Sequence, residues 1–239
     1  MPSFAYICVA TASFLPLFCQ ANAISRCLPD AEFAPMIIEN PDHAVTFRCE
    51  DASSLDLIRA VGFQTRIPIG VVLGKDLDKL SRTKRSFDLE RVDAKAALSA
   101  AIDGTGYSIE DENGIMVVVA DDLTQYQRTL LDHNFTDLKP QTNDTMVSLG
   151  VTLTVWLRAV VDPTAGSGAS ILGSTNDERL TLKVAPVATT EDIANQIVSL
   201  GSKGMWVFRV GASPLSGTSA VDVDIEPYQH YTNVAGARR

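Results

Sequence analysis

Histidine and cysteine are scarce, three and four residues respectively in a chain of 239. His43, His133 and His230 lie far apart, and none shares metal-ligand spacing with a cysteine or carboxylate. That excludes the compact metal-site patterns a sequence can display, so each reads as a satisfied or solvated imidazole. Basic charge is short as well. Twenty Lys and Arg against 29 Asp and Glu leave a net charge of −9 and a pI near 4.8, the wrong sign for a nucleic-acid face. The glycine-rich stretch "PTAGSGASILGST", residues 163–175, lacks the Gly-Lys-Ser/Thr ending of a phosphate loop and forms no Gly-x-Ser-x-Gly elbow. It reads as a crossover loop. No catalytic, metal or cofactor set is legible.

The first 23 residues, "MPSFAYICVATASFLPLFCQANA", contain no Asp, Glu, Lys or Arg. The apolar run Phe4 to Phe18 ends in Ala21-Asn22-Ala23, small residues where a signal peptidase reads, and predicts cleavage after Ala23. A lipoprotein signal at Cys19 and a retained anchor are the rivals. Phe18 is too large for the first, and the run is short for the second. Removal of residues 1–23 leaves Cys27 and Cys49, expected to form a disulfide in an oxidising compartment; two free buried thiols are the alternative. Elsewhere no stretch reaches the ~18–20 apolar residues of a membrane helix.

What is present is a core-forming chain, 46% hydrophobic and 21% charged. After an N-terminal segment, residues 24–44, a legible unit runs from 45 to 120. "VTFRCEDA" alternates as a strand, Ser53 or Ser54 caps a helix carrying Leu55, Ile58 and Val61, and "IPIGVVLG" is a short apolar strand. "KDLDKLSRTKR" reads as an exposed loop holding Lys79, Arg82, Lys84 and Arg85. Phe87 and Leu89 then mark a strand, Asp93 a cap, and Ala94, Ala97, Leu98, Ala101 and Ile102 one helical face. Gly104 suits a helix C-terminus, and Asn113-Gly114 between two strands signals a hairpin.

A polar linker near 121–129 leads to a second, related unit expected over 130–210. "RLTLKVAPVATTEDIANQIVSLGSKGMWVFRV", residues 179–210, repeats strand, capped helix, glycine stop and strand. The segment 145–161 alternates like a strand but also places Met146, Leu149, Leu153, Trp156 and Val160 at helical spacing; its length favours helix. The expected class is α+β, two small α/β units of βαββαβ order, each with two helices on a small sheet. In the tail, 211–239, Val221, Val223 and Ile225 alternate with Asp222, Asp224 and Glu226, one edge strand whose acids form a solvated face or, less simply, a calcium site. Asn134-Phe-Thr136 and Asn143-Asp-Thr145 match glycosylation sequons, read as chance.

Residues 45–120 resemble the short N-terminal domain shared by bacterial secretins and TonB-dependent receptors. The likeness rests on the leading strand, on "SLDLIRAVGFQTRIPIG", and on the closing "FDLERVDAKAALSAAIDGTGYSIEDENGIMVVV". Phe87, Leu89, Ala97, Leu98, Gly104, Thr105, Gly106, Tyr107 and Val117 to Val119 occupy the family's places. Residues 130–210 look like a diverged relative. The resemblance implies a periplasmic module that docks other proteins; no TonB box, plug, barrel or pore is legible after it, so the expected carry-over is a binding module. The expected function is therefore an exported periplasmic or secreted adaptor, or accessory of an envelope complex, that binds another cell-envelope protein without catalysis. Binding is expected through an exposed sheet edge or through Lys79, Arg82, Lys84 and Arg85. The alternative is a small secreted hydrolase whose site is not visible in sequence.

Overall fold

A computed structural model describes residues 45–163, 177–212 and 219–228, with the backbone alone for 45–50, 212 and 219. In chain order the elements are β1 Val45–Ser53, α1 Ser54–Thr65, β2 Ile69–Val72, α2 Lys79–Arg82, β3 Lys84–Val92, α3 Ala94–Ile102, β4 Tyr107–Glu112 and β5 Ile115–Ala120. There follow α4 Gln125–Leu131, β6 Asn134–Thr136, β7 Gln141–Asp144, α5 Met146–Val161, β8 Leu180–Leu182, β9 Val187–Thr189, α6 Thr190–Ser199, β10 Gly204–Ala212 and β11 Ser219–Pro227. The class is α+β.

Local chemistry sets the element ends. The Ser53 hydroxyl accepts the Asp56 N–H at 3.0 Å, and the Asp93 carboxylate accepts the Ala96 N–H at 2.7 Å. Each satisfies an N–H that the first helical turn leaves without a partner. Thr189 and Asp192 cap α6 reciprocally. Asn113 and Gly114 both take positive φ, 56° and 85°, the mirror turn that matches strand twist and joins β4 to β5. The buried face of α3 consists of the five residues its spacing marks.

The central sheet has the order β11-β10-β2-β5-β4. Its inner three strands are parallel, and each outer strand is antiparallel to its neighbour. Alternation splits the side chains between two cores. Ile69, Val71, Val118, Met205 and Val207 face one core with α1 and α3; Val72, Val117, Trp206, Phe208, Val221, Val223 and Ile225 face the other with α5 and α6. Three two-stranded ribbons complete the fold, β1-β3, β6-β9 and β7-β8.

The expectation of two units, each on its own small sheet, needs refinement. Both units contribute to this one sheet: β2, β4 and β5 from the first, β10 and β11 from the second and the tail. β2 is buried on both faces and has a parallel neighbour on each side, so a three-stranded sheet would have left one of its edges bare. The hairpins also enter in opposite senses. The first strand of one, β4, lies at the sheet edge, whereas the first strand of the other, β10, lies inside.

Three local differences are instructive. The stretch 121–129 read as a linker, yet Thr124 and Gln127 form a capping box and start α4, which buries Leu130 and Leu131. The "KDLDKLSRTKR" loop contains the turn α2, because Leu80 is fully buried and pins it. Residues 146–161 are helical as expected, but the inward stripe continues from Leu157 to the half-buried Val161, while Val160 is exposed.

Gly150 lets α5 lie directly on β11. A Cβ there would stand 2.2 Å from Ile225 Cγ1 and 2.9 Å from its Cβ. Gly150→Ala gains up to ~1 kcal/mol of helix propensity but forces overpacking of ~1–3 kcal/mol. A lower urea midpoint is expected, and an unchanged or higher one would mean that the helix shifts without cost.

Candidate functional site

The four basic residues singled out in the sequence do sit close together, but their charges are not equivalent. Leu80 anchors the turn from beneath, and the Ser54 N–H donates to the Thr83 carbonyl at 3.1 Å, tying the segment to the start of α1. Arg82 grips Asp76 through both carboxylate oxygens, at 2.6 and 2.5 Å. Arg85 donates to the Asp103 carbonyl oxygen and lies 3.9 Å from the Asp103 carboxylate. Lys79 also approaches the chain that follows Asp103. Its Nζ lies 3.1 Å from where a Cβ on Gly106 would stand, a position the positive φ of Gly106 keeps for glycine. Neither Lys79 nor Lys84 forms an ion pair among the described residues. The turn therefore offers two ammonium groups on a backbone already fixed by packing, and two guanidiniums partly neutralised by acids.

The disulfide expectation lies outside the described residues: Cys27 is not described, and Cys49 is placed only by its backbone, opposite Phe87 in the β1-β3 ladder. The glycine-rich segment 164–175 likewise lies outside.

The acids of β11 keep partial exposure but are paired with arginines rather than arranged as a calcium site. Arg209 bridges Asp222 and Asp224 at 2.6 and 2.7 Å, Arg158 stands 3.7 Å from Asp222, and Arg59 holds Glu226 bidentately at 2.8 and 2.6 Å. These arginines come from β10, α5 and α1, so only tertiary packing could supply them. Among the described residues no group of His, Cys, Asp and Glu could hold a metal ion.

A second acidic group was not legible in the sequence. Glu191, in the first turn of α6, has its pKa pushed up to about 7, first by burial and then by Glu112, Glu110, Asp132 and Asp192. Asn195, one turn along α6, donates from Nδ2 to Glu112 at 3.1 Å and accepts the buried Trp206 indole N–H at 2.7 Å. Glu110 and Glu112 alternate in β4, on the face that carries Val117 and Ile115 of β5. What was invisible is that α6 is laid across the same sheet face.

No family model matches the chain, and no curated protein or solved structure matches it either.

Proposed function

We propose that the chain is a non-catalytic protein-interaction module of the cell envelope, exported to the periplasm or beyond, that docks another envelope protein. The observation that carries the reading is the basic turn. Lys79 and Lys84 are exposed and form no ion pair among the described residues, while Leu80 and the Ser54–Thr83 hydrogen bond hold the backbone. A turn ordered before binding loses less conformational entropy when it docks. Two exposed ammoniums steer an acidic partner patch towards it. The likeness of residues 45–120 to the secretin and TonB-dependent receptor domain, read from the sequence alone, is the second support for a docking role and names no partner. Among the described residues no helix is long and apolar enough to cross a membrane.

The test is crosslinked recovery from the periplasm, comparing the wild type with Lys79→Ser/Lys84→Ser. Both side chains are exposed, so the variant should retain its stability within ~0.5 kcal/mol. One saturable partner, depleted several-fold in the variant, is expected. Equal recovery would remove the turn from the interface, and no saturable partner would sink the docking reading.

One observation favours the hydrolase alternative. A carboxyl group titrating near neutrality beside Glu110 and Glu112 has the make-up of an acid–base pair. Turnover that follows a pH profile with an upper limb near 7, and loses that limb in Glu191→Gln, would establish it; no turnover of ester, peptide or glycoside probes leaves the docking reading.

A further inference from the structure

The two edges of the central sheet are built differently, and the difference assigns one of them a role. In an antiparallel pair, residues alternate between those whose backbone groups bond the neighbour and those whose groups point away. On β11 the Tyr228 N–H donates to the Lys203 carbonyl at 3.1 Å, so Val221, Val223 and Ile225 are the residues whose backbone faces outward. That edge is occupied. Thr154 Oγ1 accepts the Val223 N–H at 2.9 Å and lies 3.2 Å from its carbonyl oxygen, while Arg158 Nε donates to the Val221 carbonyl at 3.2 Å. Helix α5, let in by Gly150, seals β11 against any added strand.

On β4 the phase is set in the same way. The Asp121 N–H donates to the Gly106 carbonyl at 3.0 Å, and the Met116 N–H is turned the other way, to Pro68, at 3.2 Å. Ser108, Glu110 and Glu112 therefore bond β5, and Tyr107, Ile109 and Asp111 point their backbone groups off the sheet. None of these outward groups is hydrogen-bonded among the described residues. Ile109 is half-buried against the first core, whereas Ser108 and Glu110 are exposed on the opposite face. A paired strand would continue both faces.

We infer that β4 is a docking edge which takes an extended segment of a partner protein as a sixth strand, with Lys or Arg at alternate positions and an apolar residue between them. The argument for that occupant is charge complementarity. The cations would stand beside Glu110 and Glu112, with Glu191, Asp192 and Asp132 behind them, and the apolar residue would lie beside Ile109. The same acids disfavour a second copy of this chain, since β4 against β4 would add one acidic strand to another with no cation between them. The inference rests on the docking reading above but uses a surface distinct from the basic turn.

The probe is an acetylated octapeptide alternating Lys and Val, with its Glu/Val counterpart as control, added to the whole chain and followed by residue-resolved amide hydrogen exchange. Exchange at the Tyr107, Ile109 and Asp111 amides should slow at least tenfold with the basic peptide and remain unchanged with the acidic one. Protection should fade with salt. Glu110→Gln should weaken binding several-fold, and Ile109→Pro, which deletes an outward N–H without touching the β4-β5 bonds, should abolish it. If Ile109→Pro fails to fold, Glu110→Lys supplies the second variant and should abolish binding by charge reversal. Absence of protection at β4, protection at Val221 and Val223 instead, or equal binding of the acidic peptide overturns the inference. A partner lost in Lys79→Ser/Lys84→Ser despite a silent β4 edge would leave the docking reading standing and remove this one alone.

Discussion

Trp206→Ala is expected to destabilise the protein by ~3–5 kcal/mol, the range for deleting a buried aromatic, a large share of the ~5–15 kcal/mol that holds most domains folded. Trp206 has no exposed surface, and its ring lies over Gly70 of the neighbouring strand. A Cβ at Gly70 would stand 2.4 Å from Trp206 Cζ2, so no other residue could replace the glycine without displacing the ring. The truncation also strips the Asn195 side-chain oxygen of the indole N–H it accepts at 2.7 Å, leaving a buried acceptor unpaired. Trp206→Phe restores most of the apolar volume but not the donor, and about 1–2 kcal/mol of the loss should remain. The measurement is urea denaturation followed by far-ultraviolet circular dichroism. Because β2 and β10 share the sheet across this contact, the loss should move a single transition. Two transitions, with only one of them shifted, would mean that the halves unfold independently.

Glu191 carries the second large effect, and its sign runs against the usual carboxylate. Its pKa in the folded protein is raised to about 7, by burial first and by Glu112 and Glu110 next; in the unfolded chain it should lie near its ordinary value of ~4.3. Between these values the folded state binds the proton more tightly than the unfolded state does, so stability falls as pH rises through that window. Below it the group costs nothing, and above about pH 7 the full cost is present. The side chain is only half-buried, so solvent screening reduces that cost to about 2 kcal/mol or less. Glu191→Gln should therefore match the wild type at about pH 4 and exceed it by on the order of 1–2 kcal/mol at pH 8. A pH-independent difference, or a variant less stable at pH 8, would show that Glu191 is not held protonated in the fold.

Both effects arise at places the sequence marked only in part. Trp206 lay within "MWVFRV", which read only as a strand, and nothing in the string pointed to Gly70 beneath it, 136 positions upstream. Glu191 stood out only as a residue of a capped first turn. The neighbours that shift its pKa belong to β4, to the end of α4 and to its own helix.

What the sequence determined by itself was local. Caps at Ser53 or Ser54, at Asp93 and at Thr189 or Thr190, the Asn113-Gly114 turn, and the apolar stripes of α1, α3 and α6 follow from interactions spanning one to four residues, which short-range order encodes directly. Alternation also told that Val221, Val223 and Ile225 of β11 share a face. Tertiary structure decided what each face meets. The short apolar run Ile69–Val72 is compatible with any buried strand, and only the demand to cover both of its edges places it between β5 and β10 and merges two expected units into one sheet. Basic residues read alike in the string at 79, 82, 84 and 85, but Asp76 and Asp103 neutralise two of them because the fold brings those acids within reach. The acids of β11 read as a solvated face or a calcium site, yet arginines from three elements pair them, and α5 seals the edge of that strand. The edge of β4 has no such partner among the described residues. Pairing of charges and closure of strand edges depend on groups far apart along the chain, and distance in sequence carries no record of them.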